Sequence, residues 1–166
     1  MTKSGSESLW KSPANAILAS WLVAGTLDVT TAIVVYSLIL HKASAIKILQ
    51  GIASGIYGKD SYSGGVATAM VGLAFHYLIA FSFAILYFLI FPKLAFLKKN
   101  WIISGLLYGL FVWLVMNLLV IRLVFPAPKP ITWESFLIGA TILMIMIGLP
   151  MSFITNKHYA LREKIT

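Results

Sequence analysis

Two ionisable residues, Asp28 and His76, stand near the middle of two successive long apolar runs, where side chains of their kind are costly to keep. The run around His76, from Gly64 to Phe91, is long enough at a helical rise of about 1.5 Å per residue to cross a hydrocarbon core of roughly 30 Å. An imidazole near the centre of such a span needs a hydrogen-bond partner, and Asp28 is the other ionisable group expected at that depth. Antiparallel packing of the two runs brings the side chains level. Such a pair can serve as a clasp between helices or as a proton-accepting site in a transport or sensing pathway, and at this stage both readings stand.

Further polar residues extend the list of candidates. Asn117 falls on one helical stripe with Gly105 and Gly109, as glue between helices or as a ligand contact. Arg122 and Glu134 flank the Pro-rich connector from Pro126 to Pro130 at one membrane face. They are a candidate charge pair at the outer mouth, able to meet an anionic lipid or a substrate. Enzyme chemistry finds no support. His41, His76 and His158 fall on the outer face, the midplane and the inner face, too far apart to share a metal. Ser104 lies near the cytoplasmic end of its span, away from the depth of His76, whereas a nucleophile and its base must be within about 3 Å. No enzyme, cofactor or metal is expected.

The elements that position these residues follow from composition. The chain has 166 residues, 60% hydrophobic and 11% charged, against roughly 45–50% and 25% for soluble domains. The apolar residues form four long blocks, which predicts an all-α membrane protein with a four-transmembrane-helix bundle in one integral membrane domain, 1–166. The spans are expected at about 13–40, 64–91, 101–125 and 133–154. Ser12-Pro13, Asn100 and Thr132 supply helix starts, Phe91-Pro92 a stop, and Pro150 a kink or an early end to the fourth span. Between the first two spans, 45–57 has the period of a short amphipathic helix with Lys47, Gln50, Gly51 and Ser54 on its polar face. It is expected to lie in the interface or cap the bundle mouth, with a re-entrant half-helix as the alternative.

Small residues predict where helices approach closely. Gly25 shares a face with Asp28, Gly72 shares a seam with His76, and Gly105 and Gly109 form a GxxxG pair expected to pack inside the bundle. That seam is expected to accept alanine but not leucine. With no cysteine, disulfides and thiolate metal sites are excluded. The net charge of +8 is spread over tails and loops beside the apolar blocks, which points to lipid headgroups and away from nucleic acid. Lys3, Lys11, Lys93, Lys98, Lys99, Lys157, Arg162 and Lys164 fall on one side. Lys42, Lys47, Lys59, Arg122 and Lys129 fall on the other. The excess places both termini in the cytoplasm. Partners are membrane lipids and either another protein or a second copy of the chain.

Phe91-Pro92-Lys93, then Ser104-Gly-Leu-Leu-Tyr-Gly109, the Pro-rich connector and Trp133-Glu134 together resemble the second half of a family of small uncharacterised bacterial inner-membrane proteins, one branch of which is labelled with acid resistance. The resemblance implies an inner-membrane location and a tie to proton stress. The combined expectation is a small protein linked to proton or solute transport or sensing through Asp28 and His76. The alternative is a structural or accessory subunit with no transport of its own.

Overall fold

Capping chemistry decides where the long helices begin. In the computed structural model, which describes residues 12–125 and 130–163, Pro13 occupies the first turn of helix α1 (Pro13–Ile39) behind Ser12. Asn100 accepts from the N–H groups of Ile102 and Ile103 at the start of α5 (Trp101–Val124). Thr132 and Ser135 satisfy each other's backbone N–H reciprocally at the start of α6 (Trp133–Glu163), a capping box whose second member is the serine beside Glu134. The other elements are α2 (Ala45–Tyr57), α3 (Gly65–Lys93) and a short α4 (Ala95–Lys99). α1, α3, α5 and α6 are each long and apolar enough to cross a membrane, so the fold is an all-α bundle of four spans. Lys3, Lys11, Lys129, Lys164, Pro126 and Pro128 lie outside the described residues.

α1 packs on both α3 and α6, and α5 packs on α6. Backbones approach where glycine leaves room. A methyl group built on Gly109 would overlap the Met144 Cα, and one on Gly148 would overlap the Gly105 carbonyl oxygen. The GxxxG pair is therefore used inside the bundle, α5 against α6. The space is tighter than expected: alanine already collides with backbone, so the seam admits only glycine. Gly25 packs against Tyr77 and Ala80, and Gly72 lies against the Leu49 carbonyl of α2 instead of against another span.

The end of the fourth span differs from expectation. Helix continues past 154 to Glu163, carrying Pro150 within it. The stretch just before that proline, Leu143–Gly148, is π-helical. A wider turn there makes room for the ring, which in a regular α-helix presses on the carbonyl four residues back, that of Met146.

α2 also departs from its sequence reading. Gln50, on the supposed polar face, is buried, and its Nε2 donates to the Gly65 carbonyl at 2.9 Å and to Thr68 Oγ1 at 3.3 Å. Ile46 and Ile56 are exposed instead. The buried side is centred on Gln50 and Ala53, so one member of the supposed polar face turns inward while Lys47 stays exposed. It packs on the first half of α3, while Gly55 meets Val124 and Phe125 at the far end of α5.

Two outcomes follow. Gly109→Ala and Gly148→Ala are each expected to destabilise the detergent-solubilised protein by about 1–3 kcal/mol, the usual cost of overpacking. Gly51→Ala, whose methyl would sit 3.7 Å from the Tyr62 hydroxyl, is expected to leave the thermal midpoint unchanged. Cysteine at Lys47 is expected to react with an impermeant thiol reagent and cysteine at Gln50 to be protected. Equal labelling at both would show that Gln50 does not pack on α3.

Candidate functional site

The depth of the central pair is set by counting. Asp28 lies eleven residues before the end of α1 at Ile39, and His76 eleven residues after the start of α3 at Gly65. Antiparallel neighbours at about 1.5 Å per residue place the two side chains level. They face each other with His76 Nδ1 at 4.0 Å from Asp28 Oδ2, both side chains mostly buried at 12% and 16% exposure. His76 Nε2 is 2.8 Å from the Gly25 carbonyl oxygen. A carbonyl can only accept, so Nε2 carries a proton, and Nδ1 is the atom left to face the carboxylate. A second proton can sit on Nδ1, giving an imidazolium opposite a carboxylate, or on Asp28, giving a carboxyl opposite a neutral ring. With neither, lone pairs oppose one another. At 4.0 Å the pair is in ionic contact but longer than a hydrogen bond.

The surrounding seam holds the ring in place. Trp21 Nε1 donates to the Tyr77 carbonyl at 2.7 Å, and the Thr26 and Tyr77 hydroxyls are 2.8 Å apart. His76 and Tyr77 meet edge to face with ring centroids 5.5 Å apart. Trp21 stands on the helical face that Gly25 and Asp28 share; Thr26 and Tyr77 are not among the residues read from the sequence. Their only signal was a hydroxyl beside each end of the Asp–His pair.

Asp28 opens onto two cavities of different character. One, about 210 Å³, is lined almost wholly by apolar side chains, among them Ile52, Ile79, Phe83, Val112, Met116 and Ile147, with His76 also in its wall. The other, about 240 Å³, runs past Asp28, Tyr36, Asn117, Ser135 and Gly139. Asn117 thus shares a cavity with Asp28, while its amide nitrogen donates back to the Trp113 carbonyl at 3.0 Å. It sits in a π-helical stretch, Val115–Val120, and α1 has another at Val34–Ile39. These stretches and Leu143–Gly148 lie along the same cavity-bearing part of the bundle.

At the face opposite the termini, Lys42 Nζ is 2.7 Å from Glu134 Oε1. This replaces the expected partnership of Glu134 with Arg122. The first turn of α6 lies beside the end of α1, so the cation nearest in space comes from α1, although Arg122 is nearer in sequence. Both members of the pair are exposed, so the contact contributes little, roughly 0–1 kcal/mol. Arg122 is exposed near the end of α5.

The half of the bundle nearer the termini is packed differently. Tyr87 is fully buried and donates to Ser152 Oγ at 2.8 Å; its oxygen is 2.7 Å from Ser104 Oγ, and Ser152 donates in turn to the Trp101 carbonyl at 2.7 Å. Tyr108 donates to the Phe83 carbonyl at 2.6 Å. Phe91, Leu97 and Met151 complete this core. Ser104 is thereby tied to Tyr87, away from His76. His41 is exposed in the turn after α1, and His158 is buried against Phe88 and Tyr159.

A double-mutant cycle tests the central contact. Asp28→Leu and His76→Leu are each expected to destabilise the protein, and the double variant to lose less than the sum by about 0.5–3 kcal/mol in thermal unfolding. Strict additivity would separate the two side chains. Compared with protein-family models, with curated proteins and with solved structures, the chain matches none, so what the site does rests on its own geometry.

Proposed function

We propose that this multi-pass membrane protein carries protons, alone or coupled to a small solute, through a site built on Asp28 and His76. The observation that supports it best is an asymmetry. A cavity with polar residues in its wall reaches Asp28 past Tyr36, Asn117 and Ser135, while the half towards the termini is filled by the Tyr87–Ser104–Ser152 cluster. A proton-binding pair with access from one side and a packed plug on the other is one state of an alternating-access cycle. The pair can hold one proton in either of two places, which suits an acceptor that loads and unloads.

An accessory subunit with no transport of its own would have a dry bundle and an exposed seam of small residues for its partner. Gly25, Gly72, Gly105 and Gly109 are all buried against the chain itself, and cavities reach the centre. Transport is therefore the reading we favour, and we propose no catalytic role. We further place the protein in a bacterial inner membrane with both termini in the cytoplasm. The cation distribution and the resemblance to a family with an acid-resistance branch support that placement.

Reconstitution tests the proposal. Liposomes holding the wild-type protein and an enclosed pH-sensitive dye are expected to dissipate an imposed pH gradient at least about tenfold faster than liposomes holding Asp28→Asn, because an amide cannot take up and release the proton at that point. Wild-type vesicles that hold the gradient as long as protein-free ones would remove the proton pathway.

A further inference from the structure

Asp28 stands at the boundary between the two cavities, and the two differ in what they can hold. Among the described residues its carboxylate has no hydrogen-bond donor, and the one group near it able to take up a positive charge is the His76 ring at 4.0 Å, itself tied through Nε2 to Gly25. A carboxylate so enclosed requires a proton or a cation as partner. The other titratable group facing it is Tyr36 on its own helix; α5 contributes Asn117, α6 contributes Ser135, and α2 presents Ile52. Further out is the Lys42–Glu134 pair, whose charges balance.

The apolar cavity on the far side of Asp28 measures about 210 Å³ and has walls of Ile52, Ile79, Phe83, Val112 and Ile147. An apolar cavity of about 150 Å³ in another protein stays dry and admits benzene. This one is therefore large enough for a single ring with a short arm, and it has a carboxylate at one edge. A proton carrier needs no such space.

We propose that the site binds a small lipophilic monocation, a primary amine carrying one ring, with its ammonium on Asp28 and its ring in the apolar cavity. This rests on the proton-site reading and names the solute class coupled to it. Entering through the polar cavity, the ammonium donates to the Asp28 carboxylate, and the proton held between Asp28 and His76 leaves to water by the same route. The pair is neutral with its one proton before the exchange. Afterwards a carboxylate, a neutral imidazole and an ammonium are again neutral, so one cation enters as one proton departs. Competition for a single carboxylate couples the two.

Phenethylamine is the probe, with 2-phenylethanol as its neutral analogue of similar shape. Full-length protein in mild detergent and weak buffer is titrated with each by calorimetry, with a pH indicator present. Phenethylamine is expected to bind saturably and to release a fraction of a proton that approaches one as the pH is lowered. The alcohol is expected to bind without release, and Asp28→Asn to weaken the amine by roughly thirtyfold or more. Met116→Trp, which fills the apolar cavity, is expected to abolish binding of both ligands, and this variant keeps the test open if Asp28→Asn does not fold. Equal affinity for amine and alcohol, no saturable amine binding, or full binding by Met116→Trp would each overturn the inference. Proton passage through wild-type liposomes without amine binding removes the amine site and leaves the proton pathway standing. Amine-driven proton release from protein that passes no protons does the reverse.

Discussion

A carboxylate placed among apolar helices, with only a histidine ring for company, is the constraint to which the other features answer. In water Asp28 would be solvated at no cost; in the centre of a bundle an isolated charge is expensive enough that the group must be neutralised, paired or wetted. The structure supplies partial versions of the last two. His76 is level with it but 4.0 Å away, and a cavity with polar side chains in its wall connects it towards one face. A complete clasp would have closed the ring and carboxylate into a hydrogen bond and filled the space around them. Holding His76 Nε2 on the Gly25 carbonyl instead fixes the ring orientation without using the atom that faces Asp28.

The two halves of the bundle solve the packing problem with different residues. Towards the termini, large rings interlock and their hydroxyls find partners: Tyr87 with Ser104 and Ser152, Tyr108 with Phe83. Each hydroxyl of this cluster has a partner, so its polar atoms are buried without the cost of an unmade hydrogen bond. Towards the other face the helices are π-wound in three places, Val34–Ile39, Val115–Val120 and Leu143–Gly148. A π turn widens the helix and shifts the register of the residues that follow, so side chains no longer interdigitate as α-helical ridges do. The cavities lie where that regularity is broken.

Sequence reasoning reached the fold because long apolar blocks and helix starts are local properties. Pro13, Asn100 and Thr132 each act within one turn of where they stand, and the four spans follow. Depth was legible too, since antiparallel helices convert sequence distance from a shared face into height, and that relation made Asp28 and His76 neighbours. Side-chain direction was not legible where it depends on the third dimension. Gln50 read as part of a polar face because it shares a helical stripe with Lys47 and Ser54, but Gly72 lets α2 come so close that the amide reaches backbone of α3. Glu134 was matched to the nearest cation along the chain, although α6 begins beside α1 and Lys42 is nearer in space. Tyr87, Ser104 and Ser152 stand on three different spans and share no period, so their meeting point has no one-dimensional signature.

α2 adds a last constraint on the site. The spanning helices form most of the apolar cavity, but Ile52 closes part of it from a helix that does not cross the membrane. That helix is positioned by the contact of Leu49 with Gly72, the Gln50 amide on α3, and Gly55 against the end of α5. The first and third are close approaches made possible by glycine, and the second is a buried amide bond, all within the packing of α2 on its neighbours. In hydrocarbon, where apolar transfer supplies no drive for helices to associate, such close contacts and buried amides are what hold an element in place. The volume beside Asp28 is therefore fixed at a distance, by residues that touch neither the carboxylate nor the ring, and a change at Gly72 or Gln50 alters the shape of the site without altering its charge.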